Sequence, residues 1–455
     1  MCSHPFGEQV NAWSYTHPPR ALSTLHTRSS AMVSTEFLAR VEQLPLVWSS
    51  EPGSFARLGF TSRYPALVRD CVELNGDRFS VQQRQRLLQL AQELENDAEI
   101  PLPSTLAATI GATTEEWETL LRGKGYRWHD APWFLAGMYM FHLILLIADY
   151  YSTGFDPFHA SKVVELQQET PWRLLQTAVA LSAQGDTDSN DRRGQLKRFM
   201  KLCLWGNKAD GCYTEVKATM SGEDASLEFD DDLLLVDHSD RVISHLEKKA
   251  RESGDAKSLG VQYINDNSGT ELLLDLALAD HLLTLGWCGK VTMNVKMEPM
   301  YVSDAISADV HEHIVEMQRE TRTPDVQALG KRLATYVNKG QLVVRPDNFW
   351  NRYKFYWEMP SELCARLEQE ATLTIIKGDL NYRRLLGDRL WSPSTPIEEV
   401  VPYFPAAFVS LRTMKSTLVA GIPADIVDKL EKEDPKWKFN GKRAIIQGVL
   451  ASEPQ

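Results

Sequence analysis

The chain has 455 residues, 43% of them hydrophobic and 24% charged, with 49 Lys and Arg against 61 Asp and Glu and a formal net charge of −12. At roughly 100–200 residues per domain, this length predicts two or three structural units around a large core, and the composition excludes collagen-like, coiled-coil and wholly disordered chains. The negative balance disfavours a nucleic-acid partner, whereas small phosphorylated ligands stay open because a few fixed cations or one metal ion can hold them.

Residues 1–34 hold one acid, Glu8, beside Arg20, Arg28 and several Ser, Thr and His. They lack a clear amphipathic Arg-rich pattern, so a disordered extension over 1–50, or a start at Met32, is expected ahead of a targeting segment. The pattern is helical from about Thr35 to Leu204, with a helical cap domain placed at 51–200. Val81–Asp97 repeats apolar residues every three or four positions, and Thr113-Thr114-Glu115-Glu116 reads as a capped helix start. The most apolar stretch, Trp133–Ala148, contains His142 and is followed by Asp149. It is shorter than the roughly 20 residues of a bilayer span, so a buried helix and no membrane partner are expected. Ala183–Gly194 is polar and turn-rich, which predicts a surface loop or linker.

Beyond that loop the period changes. Short β-like runs occur at Val261–Ile264, Val291–Val295, Leu342–Arg345, Leu373–Ile376, Ala407–Leu411 and Ala444–Leu450, with helical stretches such as Glu271–Leu285 and Pro324–Val337 between them. Strands alternating with helices predict an α/β fold: an N-terminal helical cap domain on a Rossmann-like, mostly parallel β-sheet domain at 201–455. The six cysteines form no C-x-x-C pair. Neither a zinc cluster nor a disulfide framework is readable, which suits a reducing compartment.

Ligands in such sheets sit outside the carboxyl ends of the strands, so the strand exits carry the functional argument. Asn265 to Glu271 after the Val261–Ile264 run places Asp266 and Asn267 side by side, two oxygen donors for a hard cation, with Ser268-Gly269 offering N–H groups to an anion at a helix start. A simple Asx turn is the alternative. Asp304, in Val302-Ser303-Asp304, gives a third oxygen ligand about one strand–helix–strand step further on, or else a helix cap. Lys377-Gly378 after the Leu373–Ile376 run would meet a phosphate with charge and bare backbone. Arg412-Thr413-Met414-Lys415 after the Ala407–Leu411 run is a clamp for an oxyanion, or a polar helix start. No exit supplies a Cys-His pair, a G-x-S-x-G elbow or a Walker A loop, which points to metal-assisted chemistry on a phosphate.

In their order along the chain, Asp266 to Glu271, Asp304 in its V-S-D setting, Lys377 to Arg383 (K-G-D-L-N-Y-R) and Arg412 to Lys415 (R-T-x-K) resemble the metal-dependent damage-control phosphatases, the family of domain of unknown function 89. The R-T-x-K motif is similar to that of the third subfamily, which includes eukaryotic sugar-phosphate phosphatases and a protein once described as an acidic-residue methyltransferase. The resemblance runs from about Pro52 to near Ala451 and takes in Asp156-Pro157-Phe158 and Leu204-Trp205-Gly206-Asn207. It implies that Asp266, Asn267 and Asp304 hold a divalent metal ion, Mn²⁺, Mg²⁺, Co²⁺ or Ni²⁺. It also implies that Asp266, Asn267, Lys377, Gly378, Asp379, Leu380, Asn381, Tyr382, Arg412, Thr413 and Lys415 bind the substrate. The chain departs from the family pattern at Gly137 and His142, where an acid and an Arg are expected, and at Lys208 to Cys212.

The implied activity is metal-dependent hydrolysis of phosphate monoesters of small sugar phosphates, of the fructose 1-phosphate or fructose 6-phosphate type, in metabolite damage control. Asp266 and Lys415 are the expected catalytic residues. Asp266 would position the attacking water or attack phosphorus itself, and Lys415 would hold an equatorial oxygen. The expected partner is a small phosphorylated molecule and the expected location is the cytoplasm, with the nucleus also open; oligomeric state is not readable. The rivals are a SAM-dependent protein-glutamate O-methyltransferase and a catalytically silent binding protein of the same fold. A dinucleotide-binding oxidoreductase is disfavoured because no G-x-G-x-x-G follows any strand.

Overall fold

A computed structural model describes residues 33–106, 114–183, 189–206 and 231–450. The remaining residues, with the expectations that fall on 1–32 and on Asn207 to Cys212, lie outside the described ones. Seven strands form one sheet: β1 (Leu234–Asp237), β2 (Gly260–Ile264), β3 (Lys290–Lys296), β4 (Leu342–Asp347), β5 (Leu373–Lys377), β6 (Phe408–Thr413) and β7 (Ala444–Val449). Their order is β1-β7-β6-β5-β2-β3-β4. Every neighbouring pair is parallel except β6 with β7, so the expected mostly parallel α/β sheet is what the chain forms. The central strands β2, β3, β5 and β6 are buried along almost their whole length, polar Gln262, Thr292, Asn294, Thr374 and Ser410 included, because both faces of the sheet are covered there. All six predicted runs are strands. β1 escaped the sequence because it is a four-residue edge strand beside an acidic stretch.

From β2 the chain builds outward through β3 to β4; β5 then returns to the other side of β2, pairing Val261 with Leu373 through Ile264 with Ile376. The strand order therefore reverses between β2 and β5, and the crevice outside their carboxyl ends is where an open α/β sheet binds its ligand.

The cap has its own core. Phe60, Leu87, Trp128, Phe134, Tyr139 and Phe141 are among its buried members, with Met300 and Phe355 of the sheet domain packed into it. The helix Val81–Glu95 forms where its periodicity predicts, closed by a capping box between Ser80 and Gln83. Trp133–Ile147 is apolar all round and is buried all round, since both the cap and the sheet cover it.

Three boundaries differ from expectation. Within the extension expected to be disordered over 1–50, residues from Thr35 are structured: Ser34 caps the helix Thr35–Glu42, and Phe37 packs on Trp357 and Tyr403 at ring distances of 5.9 and 5.4 Å. The polar stretch Ala183–Gly194 is in part helix, because Ser189–Gly206 starts inside it. That helix and Glu169–Ala183, both expected in the cap, bury Trp172, Leu175, Leu196, Phe199 and Cys203 in the core of the sheet domain, so by packing the cap ends near Phe158.

Candidate active site

Two backbone ladders set the ligand-type residues side by side. The Ser268 N–H donates to the Ser303 carbonyl at 2.6 Å and the Ala305 N–H to the Asp266 carbonyl at 2.8 Å, with Asn267 and Asp304 bridged as antiparallel neighbours. The loops leaving β2 and β3 are thereby zipped together, and Asp266, Asn267 and Asp304 all line one cavity of about 60 Å³. The loop before Asp304 holds Tyr301 at φ 48° and Val302 at φ 66°. A left-handed β-branched residue is costly, and the ladder holds it there.

The Asn267 amide is held on both sides. Its Nδ2 donates to Asp266 Oδ2 at 3.0 Å and to Glu271 Oε2 at 2.9 Å, while its Oδ1 accepts from the Ser303 hydroxyl at 2.8 Å. Glu271 is in turn 3.2 Å from the Lys377 ammonium, which also bonds Asp275 at 2.7 Å and the Cys203 carbonyl at 2.8 Å. Lys377 was expected at the phosphate; it lies fully buried off the cavity and supports Asn267 through Glu271. Burial opposes its charge, yet Asp275 and Glu271 outweigh this and raise its pKa. Burial lifts Asp275 to about 7, against the pull of Lys377 and with the push of Glu271. Two carboxylates around one ammonium in a dry site cannot both ionise freely.

The exit of β5 divides its residues between two tasks. Gly378, at φ 80°, presses its Cα against the Asp266 carboxylate, where a Cβ would overlap it. Asp379 and Leu380 line the cavity. Asn381 and Tyr382, expected to touch substrate, are not among the residues that line the cavity. Asn381 ties the Asn265 and Lys377 carbonyls together and accepts from Tyr356, while the Tyr382 hydroxyl donates to Gln447. Their helix turns them inward, away from the crevice.

From β6 only Lys415 of the expected residues reaches the cavity wall. Arg412 instead clamps Asp379: its Nε donates to Oδ1 at 2.7 Å, joined there by the Ser416 hydroxyl at 3.0 Å and the Lys415 backbone N–H at 3.3 Å. Thr413 is fully buried and off the cavity. The helix start at Gly269 is also closed to an anion. Its N–H donates to His313 Nε2 at 2.8 Å, and the Thr270 N–H and hydroxyl go to the Glu165 carboxylate at 2.8 and 2.7 Å. The protein's own Glu165 occupies the position a phosphate was expected to take.

The cap roofs the cavity with Arg63, Tyr64, Leu67, Trp133 and Phe141, and the sheet domain adds Tyr301 and Arg383. Arg63 ends a π-helical turn, Gly59–Arg63, and lies over Phe55 and Tyr64; Arg383 lies 3.7 Å from the centre of Trp133 and bonds Asp388 at 2.7 Å. Gly137 backs this roof, where a Cβ would come within 3.3 Å of the Tyr64 hydroxyl and 3.6 Å of that of Tyr301. His142 lies elsewhere, joined at 3.1 Å to Tyr151, which donates to Glu298 at 2.8 Å. Burial depresses its pKa to about 3, so it is neutral.

Two carboxylates and an amide, all buried and without thiolate or imidazole among them, make a donor set suited to a hard divalent cation. A second group, His159, Asp309 and Glu312, brings ligand-type atoms within 4.8 Å of one another. It lies outside the cavity, its Asp309 is engaged by Lys162 and the Ile306 N–H, and His159 and Glu312 are partly exposed.

The family model of the damage-control phosphatase ARMT1-like domain matches residues 60–430. The chain belongs to this family. Among its relatives, damage-control phosphatase ARMT1 of Xenopus laevis is 28% identical over 444 residues, covering 88% of this chain and 97% of the relative. Damage-control phosphatase ARMT1 of Homo sapiens is 28% identical over 434 residues, covering 87% and 96%. A crystal structure of a DUF89 family protein from Pyrococcus horikoshii spans 84% of this chain and 95% of its own at 14% identity, with a TM-score of 0.39.

In this member of the ARMT1-like family the cavity-lining residues that sequence reasoning left out include Arg63, Tyr64, Trp133, Tyr301 and Arg383, and Lys296 stands behind the wall they share with Asp304. Arg63 and Tyr64 carry no local signal, because their place over the crevice depends on how the cap docks. Lys296 did carry one: it is a lysine closing a buried strand two elements after Asp266 and Asn267. Among the described residues no helix is long and apolar enough to cross a membrane.

Proposed function

We propose that this chain hydrolyses phosphate monoesters of small sugar phosphates, of the fructose 1-phosphate or fructose 6-phosphate type, as a metabolite-repair enzyme. The observation that carries the reading is the convergence of Asp266, Asn267 and Asp304 with Lys415 and Arg383 on one cavity at the reversal of strand order. Asp266, Asn267 and Asp304 would hold a divalent cation such as Mn²⁺, Mg²⁺, Co²⁺ or Ni²⁺. Such an ion, when bound, neutralises phosphoryl charge and acts as a Lewis acid.

The other roles belong to the chain's own groups. Lys415 and the guanidinium groups of Arg383 and Arg63 face the phosphoryl oxygens, where charge gathers in the transition state. Asp266, held in place by Gly378 and Asn267, orients the attacking water and takes its proton, or attacks phosphorus itself. Asp379, fixed by Arg412, accepts a sugar hydroxyl. Trp133, Tyr64 and Phe141 exclude water and offer flat faces to the sugar. A cavity of about 60 Å³ is well below the roughly 300–1,000 Å³ of ordinary ligand sites, so the cap opens to admit the substrate. Cys71, Cys203, Cys288 and Cys364 are free thiols, which supports a cytoplasmic setting.

The test is release of inorganic phosphate from fructose 1-phosphate, fructose 6-phosphate and p-nitrophenyl phosphate with each of the four metals. Metal-dependent release from at least one sugar phosphate is expected. No release from any of them, with methyl transfer from S-adenosylmethionine to a protein glutamate instead, would replace this reading with the methyltransferase one.

A further inference from the structure

Lys296 is the last residue of β3, and its backbone N–H donates to the Ala305 carbonyl at 3.1 Å, which fixes it beside the loop that carries Asp304. Its ammonium lies 2.6 Å from Asp304 Oδ2, and both side chains are only 2% exposed. Asp304 lines the cavity and Lys296 stands behind it. A buried ammonium and a carboxylate this close compensate each other's desolvation, and removing one costs the other that compensation.

A divalent cation at Asp266, Asn267 and Asp304 would draw on the same carboxylate. We infer that Lys296 is the resident counter-ion of the metal site: it keeps Asp304 placed when the site is empty and it weakens the hold on the cation when the site fills. The inference rests on the metal reading proposed above. Its physical basis is linkage. Whatever the Lys296–Asp304 pair contributes to the metal-free state must be overcome when the metal binds, and the ammonium repels the dication in addition. The site can then stay folded while metal exchanges, with a smaller metal affinity as the consequence. Lys296 is in this sense a positioning residue that acts through Asp304.

The experiment is Lys296→Met, a neutral side chain of similar length. Mn²⁺ is titrated calorimetrically into EDTA-stripped wild type and variant, and thermal unfolding is followed with and without Mn²⁺. The metal-free variant should melt below the wild type, Mn²⁺ should raise its melting temperature by more than it raises that of the wild type, and its Kd for Mn²⁺ should tighten by roughly tenfold or more, within the usual range of couplings between sites. A purely structural lysine would lower both melting temperatures alike and leave Mn²⁺ affinity unchanged or weaker, and that result overturns the inference. A variant that is soluble only when made in Mn²⁺ supports it. One that stays insoluble even in saturating Mn²⁺ overturns it, because the cation should supply the missing charge. If the wild type itself binds no Mn²⁺ by either measurement, the metal site fails and this role with it; if the wild type binds and the variant does not bind more tightly, only the role of Lys296 fails.

Discussion

The Asp266 carboxylate rests against the Cα of Gly378 across the gap between β2 and β5, with Gly378 held at φ 80°. Both the contact and the backbone angle demand glycine. Gly378→Ala should cost about 1–2 kcal/mol in backbone strain. By moving Asp266 it should also cut phosphate release by roughly a hundredfold, the usual consequence of an ångström-scale displacement of a reacting group. Steady-state turnover measured beside circular dichroism would show this, and a variant with wild-type turnover would separate Asp266 from the chemistry.

Removal of the metal should silence the enzyme. After dialysis against EDTA, phosphate release should vanish, and Mg²⁺, Mn²⁺ or Co²⁺ should restore it, since the three donor side chains are hard oxygen ligands. The added metal should also raise the melting temperature in a concentration-dependent way. Full activity after exhaustive chelation is the result that counts against the site.

For Asp304 the structure alters what the sequence suggests. Seen as one of several clustered acids, it should be removable without structural cost, because like charges repel in the empty site. Its pairing with Lys296 at 2.6 Å reverses this expectation. Asp304→Ala should abolish metal binding and also destabilise the fold by about 3–5 kcal/mol, the cost of stranding a buried charge. Urea unfolding and metal titration check both halves, and wild-type turnover at low micromolar metal would reduce Asp304 to a helix cap.

Lys415 tests phosphate recognition apart from metal binding. Lys415→Ala should lower kcat/KM by roughly two or more orders of magnitude, equivalent to about 3 kcal/mol, with metal affinity barely changed. Lys415→Arg should rescue poorly, because a planar fork does not replace a compact ammonium in a tight site. Unchanged kcat/KM in the alanine variant would take Lys415 out of the site.

Asp275 gives a pH signature to stability. Burial lifts its carboxyl to about 7 in the folded chain, whereas an unfolded aspartate titrates near pH 3.9 (roughly). Between those values the folded chain keeps a proton that the unfolded chain has lost. The contribution is therefore present below about pH 4 and is lost as pH rises through about 7. Asp275→Asn cannot titrate, so across this window its stability should fall less with rising pH than that of the wild type. Urea unfolding at about pH 5 and about pH 8 makes the comparison, and parallel slopes would mean that Asp275 stays ionised throughout.

Much of the architecture was legible because it is written in local periodicity. The runs that became β2 to β7 are short segments rich in apolar and β-branched residues, and the helix Val81–Glu95 announces itself by its spacing. That Asp266, Asn267 and Asp304 come together was legible too, because they stand where the neighbouring strands β2 and β3 end.

What each neighbour of a motif does was decided only in three dimensions. Lys377, Gly378 and Asp379 are consecutive, yet the first points down to Asp275, the second makes room for Asp266 and the third faces the cavity. A strand end that turns into a helix sends successive side chains in different directions, and one-dimensional spacing holds no record of which way is inward. Arg412 reads as a phosphate clamp until Asp379 arrives from another strand to claim it, and the helix start at Gly269 reads as an anion site until Glu165 fills it from the helix His159–Leu166. The residue types and the strand exits were determined by the sequence alone. The pairing of buried charges depends on long-range docking, and that docking decided which of the motif cations line the cavity and which lie beneath it.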